Sequence, residues 1–210
     1  MNAFFAEILM NLKSRWFWFT VFMTVLVLFL SHDRSSMNLT LLSLPLLSAL
    51  PAASSFQKEL ASNSFRPVLF RCGLKNYLYS RLAGLLFITL MSMGCGMGLF
   101  LLLFRIFVMP FPVFTFPEIL ARLIASLFFA LCGSAAAVLL SDSIFAYVFP
   151  VALCFSLSML HNRFFYETDW IDPAWWLSGE LQALLFAVFL VCAVCALYYL
   201  CLRKAVKTHA

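Results

Sequence analysis

The chain has 210 residues, of which 64% are hydrophobic and 11% charged, with a formal net charge of +5 and a mean hydropathy of +1.00. A soluble domain carries about 45–50% apolar and about 25% charged residues, so this composition excludes a water-soluble globule and points to an integral membrane protein. The positive balance does not indicate nucleic-acid binding, because no basic helix or basic-aromatic surface motif accompanies it.

In chain order, "NAFFAEILMNLK" sets Phe4, Phe5, Ile8, Leu9 and Leu12 at helical spacing, with Glu7, Asn11 and Lys13 largely on the other side. The pattern predicts a helix lying in the membrane interface before the chain turns to cross. Apolar runs then predict six spans over about 15–31, 37–55, 82–104, 118–141, 143–160 and 181–202, each expected to be long enough for a hydrocarbon core of about 30 Å at about 1.5 Å per residue. The expected fold is therefore all-α, a single transmembrane domain over residues 1–210. Pro45 and Pro51 fall in the second span and Pro150 in the fifth; membrane helices tolerate such kinks where neighbours satisfy the freed carbonyl. Ser141-Asp142-Ser143 predicts a tight turn between the fourth and fifth spans.

Smaller signals are absorbed by this outline. No cleavable leader is expected, since no small-residue cleavage site follows the first apolar run. Six of the seven cysteines lie in or beside apolar runs and Cys72 lies in a connector, so no disulfide framework is expected. Cys192-Ala-Val-Cys195 has C-x-x-C spacing without a second ligand pair and is read as helix packing. Gly94 and Gly98 form a G-x-x-x-G pair, expected to permit close packing within the chain. Asn38-Leu-Thr40 matches a glycosylation sequon by chance at the head of a span. Trp170, Trp175 and Trp176 are expected at the outer interface, with Asp172-Pro173 starting a turn or helix.

Charge decides direction. Lys13, Arg15, Lys58, Arg66, Arg71, Lys75, Arg81, Arg203, Lys204 and Lys207 fall on one side, ten residues in all, and Arg34, Arg105, Arg122 and Arg163 on the other. Positive residues mark the cytoplasmic side, which predicts cytoplasmic termini and a plasma-membrane location. Residues 56–84 alone hold five of the fourteen Lys and Arg, interleaved with Phe65, Val68, Leu69, Phe70 and Leu74. Such a segment suits either anionic headgroups, at about 1 kcal/mol per basic residue, or a soluble protein.

The order of these features resembles the ABC-2 type permeases, the membrane subunits of a class of ABC transporters. An amphipathic start and two spans lead to Phe56-Gln-Lys-Glu59, and Tyr77-Leu-Tyr-Ser80-Arg81 is similar to the hydroxyl- or glycine-plus-cation pair at the family's third span. Asn63 stands where the family uses glycine, Cys72-Gly73 replaces a common Ser-Pro, and Arg81 replaces lysine. "HNRFFYETDWIDPAWWLSGE" resembles the family's short outer re-entrant helices. The resemblance implies a cytoplasmic coupling helix in the connector. It also implies a docked ABC ATPase near Phe56, Lys58, Glu59, Arg66, Arg71, Lys75 and Arg81, and a second permease, identical or a sister subunit. ATP and Mg would then belong to that ATPase, with no cofactor, metal or catalytic residue in this chain. An uncharged, Phe-rich set of spans fits a hydrophobic or amphipathic cargo such as a peptide, lipid-like compound or drug, and no substrate-binding residue is singled out.

Three other classes are weighed against this reading. An intramembrane enzyme needs a nucleophile and base or metal ligands inside the spans, yet His32, His161 and His209 all avoid span centres and no H-E-x-x-H, G-x-S-x-G or phosphate loop occurs. An ion-coupled secondary transporter needs mid-membrane ionisable residues or repeats; Arg105 and Arg122 sit towards outer ends. A non-transport assembly or immunity protein is equally compatible with six spans.

Overall fold

A computed structural model describes residues 12–30, 37–51, 65–107, 114–140, 142 and 144–209. Among these residues the fold is all-helical and holds no strand. The helices are α1 (Arg15–Leu30), α2 (Met37–Ala49), α3 (Phe65–Cys72), α4 (Leu74–Phe107), α5 (Phe116–Leu140), α6 (Phe145–Phe164), α7 (Pro173–Trp176) and α8 (Leu181–His209), with a 3-10 turn at Asp169–Ile171. Four of them, α4, α5, α6 and α8, are long and apolar enough to cross a membrane. The apolar α1 and α2 have 16 and 13 residues, so they reach about 24 Å and about 20 Å, short of a hydrocarbon core.

Local chemistry sets the helix ends. Thr115 precedes α5, and the Glu118 carboxylate accepts from the Thr115 N–H at 3.2 Å, half of a capping box that satisfies an orphan donor. Asp142 Oδ1 accepts from the Ile144 N–H at 2.9 Å just ahead of α6, which accounts for the tight turn expected there. Asp172 caps α7 by accepting from the Ala174 N–H at 3.0 Å, with Pro173 in the first turn. Gly73 separates α3 from α4 at φ +74°, a left-handed conformation open to glycine without a steric cost.

α5 is the hub, packed against α2, α4, α6, α7 and α8. Its segment Ala130–Val138 is buried throughout, and its small side chains let neighbouring backbones approach, the means by which helices associate where no water drives them together. A close crossing lies at Gly133. A Cβ there would overlap the Ala146 carbonyl oxygen of α6 and lie 2.9 Å from Pro150 Cγ. Ala49, Ala137 and Ala146 join α2 to the same crossing.

The G-x-x-x-G expectation is corrected in its register. Gly94 and Gly98 have nothing within 4 Å of a built Cβ, whereas a Cβ on Gly96 would stand 2.7 Å from Thr24 Cβ of α1. The close approach of α1 and α4 therefore uses the middle glycine. The two flanking ones meet no described residue in this way, because residues four apart share a face and residue 96 lies on another.

Two apolar clusters mark the two ends of the bundle. One joins Tyr77, Leu78 and Leu85 of α4 to Leu131 and Val138 of α5 and Tyr198, Leu202 and Val206 of α8, with Leu12, Val68 and Leu69 packed on it. The other joins Leu28, Leu44, Met97, Phe100, Phe128 and Trp176. Trp176 corrects a second expectation. It is 3% exposed, with its ring 5.4 Å from Phe128 in an edge-on contact and its Nε1–H donating to the Trp170 carbonyl at 2.9 Å. Asp172 and Pro173 turn α7 inward and carry this ring into the core, while Trp170 stays exposed. Of the predicted interfacial helix, Leu12 and Lys13 alone fall among the described residues.

Candidate functional site

The end marked by Tyr77 and Tyr198 collects the basic residues. Lys13, Arg15, Arg71, Lys75, Arg203, Lys204 and Lys207 are all exposed there. α3 lies across this end. Its Val68 and Leu69 pack on the apolar cluster beneath, and Gly73 redirects the chain into α4 while its N–H still donates to the Leu69 carbonyl at 2.9 Å. The opposite face of α3 carries Arg71 and Phe70, and Phe70 is 86% exposed.

The residues of the expected docking connector separate into three groups. Phe56, Lys58 and Glu59 lie outside the described residues. Arg66 lies in α3, and Arg71 and Lys75 are exposed on either side of Gly73. Arg81 is buried within α4 at 4% exposure, because α4 begins at Leu74, about two turns earlier than the span expected from hydropathy. Arg71 and Lys75 thus share one surface, and Arg81 sits beneath it.

A second polar locus lies at the opposite end. Arg122 of α5 is 6% exposed. Its Nη1 donates to the Glu118 carbonyl at 3.4 Å and stands 4.0 Å from the Glu118 carboxylate. The Phe114 ring centroid lies 4.0 Å from its Cζ, a cation–π contact. Among the described residues the Nε, itself buried, has no hydrogen-bond partner. Arg122 lines a cleft with Thr24, Val27 and Leu28 of α1, Thr40, Ser43, Leu44 and Leu47 of α2, and Met93 and Met97 of α4.

No family model, curated protein or solved structure matches this chain.

Sequence reasoning counted Arg122 only as an end charge. The readable signal was its spacing from Glu118: a carboxylate and a cation four residues apart on a helix that holds no other charge face one another. A buried arginine in an apolar helix costs several kcal/mol unless paired. The Glu118 carboxylate is already engaged at Thr115, so that pairing is partial. The His161–Asp172 contact at 3.9 Å ties the end of α6 to the start of α7 at the same end of the bundle. Among the described residues no group of three or more His, Cys, Asp and Glu forms a metal site, and the cysteines there are free thiols.

Proposed function

We propose that this chain is the permease subunit of an ATP-driven ABC transporter that exports a hydrophobic or amphipathic cargo. In this reading α1 and α2 cross the membrane with the four longer helices, giving six spans. The termini and α3 face the cytoplasm, and the chain pairs with a second permease, identical or a sister subunit. A separate cytoplasmic ATPase supplies ATP hydrolysis. It docks on the connector through Phe56, Lys58, Glu59, Arg66, Arg71 and Lys75, with Arg81 holding the root of that surface.

The observation that carries the reading is α3. It is an eight-residue amphipathic helix laid across the basic end of the bundle, apolar face down, with Phe70 and Arg71 turned outward. A positive-inside loop needs charge alone; an exposed phenylalanine on a packed helix adds a reason to meet a protein groove. The direct link from α3 through Gly73 into the 34-residue α4 gives that surface a mechanical route into the spans.

One observation favours a second reading. The buried Arg122 is an ionisable group inside an apolar helix, as an ion-coupled secondary transporter requires. An arginine keeps its proton at every physiological pH, so it would serve there as a fixed counter-charge rather than a proton carrier.

The deciding experiment is mild-detergent purification of the chain from its own cells, with mass spectrometry of what accompanies it. A phosphate-loop ATPase at near-equal amount, lost when Phe70→Ala and Arg71→Glu are combined, supports the permease. Recovery of the chain alone, under conditions that preserve other membrane complexes, overturns it in favour of the secondary transporter.

A further inference from the structure

Tyrosines mark the place where α4 and α8 meet at the basic end. Tyr77 and Tyr198 turn into the core, whereas Tyr79 is 61% exposed, with its ring centroid 5.5 Å from that of the half-buried Tyr199. α4 begins and α8 finishes at this end, so the two run antiparallel and the tyrosine pair sets their register. One turn outward, Lys75 stands opposite Arg203; one turn inward, Ala83 stands opposite Cys195 and Ala196. Lys75, Arg203, Ala83 and Ala196 are all exposed. Both helices also pack on α5, and Leu82, Leu86, Val191 and Val194 are partly buried on the cluster beneath. The small side chains therefore leave a furrow with an apolar floor, continued by the exposed Phe87 and Cys192.

The chemistry along this furrow is ordered. Two cations come first, then two phenols, then small apolar side chains, with successive layers about 6 Å apart at four residues per step. A phospholipid has the same order of phosphate, glycerol esters and acyl chain, and tyrosine favours the headgroup level. A docked protein would meet the cations but gives no account of a furrow that runs on from them into the apolar spans. No described carboxylate is paired with Lys75 or Arg203, so the rim carries positive charge and suits a head group that is anionic overall. We propose that the α4–α8 furrow binds one anionic phospholipid of the surrounding leaflet, its phosphate held between Lys75 and Arg203 and one acyl chain laid along Ala83 and Ala196. The Tyr79 and Tyr199 hydroxyls lie at the level of its esters. The site needs only the membrane placement of α4 and α8. It stands apart from the permease reading, and of the docking residues in that reading it shares Lys75 alone.

The test uses the full chain in dodecylmaltoside micelles, titrated with dioleoylphosphatidylglycerol or dioleoylphosphatidylcholine and read by native mass spectrometry. One phosphatidylglycerol per folded chain is expected to bind at least tenfold more tightly than phosphatidylcholine, from two basic residues at about fivefold each. Lys75→Gln combined with Arg203→Gln is expected to erase that preference. Lys13→Gln combined with Arg15→Gln removes the same charge at the same end, from the head of α1, and is expected to keep it. Ala196→Phe fills the furrow without touching a cation and is expected to weaken phosphatidylglycerol binding several-fold; it decides the matter should the Lys75→Gln and Arg203→Gln chain fail to fold. Glycerol 3-phosphate, which has the phosphate and no acyl chain, is expected not to displace the lipid. Equal affinity for the two lipids, an equal loss in both double variants, or displacement by glycerol 3-phosphate overturns the proposal. Unchanged phosphatidylglycerol binding in the folded Lys75→Gln and Arg203→Gln chain or in the Ala196→Phe chain overturns it too. If that double variant instead loses a co-purified ATPase while keeping the lipid, the two cations belong to a protein surface.

Discussion

Gly133→Ala adds a single methyl group at the crossing of α5 and α6. Its Cβ would overlap the Ala146 carbonyl oxygen and lie 2.9 Å from Pro150 Cγ and 3.3 Å from the Ala146 carbonyl carbon. Ordinary contacts of this kind begin at 3.4 Å, and the obstacle is backbone, so the two helices must part rather than a side chain turn away. A gap of about 0.5–1 Å forfeits about a quarter to a half of each van der Waals contact it opens, and overpacking of one methylene costs about 1–3 kcal/mol. Alanine regains about 1 kcal/mol of helix propensity over glycine, leaving a net loss of up to about 2 kcal/mol. Gly94→Ala meets nothing within 4 Å and keeps the propensity gain alone. The difference between the two variants therefore isolates the overpacking term of about 1–3 kcal/mol. Titration with a denaturing detergent, followed by far-UV circular dichroism, reads it as a lower unfolding midpoint for Gly133→Ala than for Gly94→Ala. Equal midpoints would refute the close crossing.

Trp176→Ala removes a ring buried among Phe128, Phe129 and Phe186, and a loss of about 3–5 kcal/mol is expected, read by the same titration. Asp172→Ala deletes the cap of α7 and the contact with His161; about 1 kcal/mol is expected, seen as faster hydrogen exchange at the amides of 174–178 with the rest of the chain unchanged. Thiol labelling in sealed vesicles tests the membrane placement: Cys95 and Cys192 are exposed on the apolar α4 and α8. A membrane-impermeant maleimide should miss both in sealed vesicles, because a thiol in hydrocarbon stays protonated, and both should react, with the buried Cys132 and Cys154, once the chain is unfolded in denaturing detergent.

The long apolar helices were legible because hydropathy alone reports them: α4, α5, α6 and α8 each overlap an expected span. The start of α4 was not, since Lys75 and Arg81 look like the end of a membrane segment while helix propensity carries the helix through them. Which face of each helix is buried was also hidden. A helix apolar all round carries no amphipathic stripe to read, so Gly96 could not be told from Gly94, nor Trp176 from Trp170. For the candidate sites, the basic connector was visible as a run of charge. The Arg122 cleft is built from four helices that no local pattern ties together, and within it only the Glu118–Arg122 spacing was on the surface of the sequence.

α4 also has the proportions of a lever. Its 34 residues make a rod of about 51 Å, so about 20 Å projects beyond a hydrocarbon layer of about 30 Å. A Cβ on Gly96 would stand 2.7 Å from Thr24 of α1, and a pivot at that crossing leaves an arm of about 33 Å back to Leu74 and about 16 Å on to Phe107. A push on α3 that tilts α4 about that fulcrum arrives at the far end reversed and roughly halved, with about twice the force.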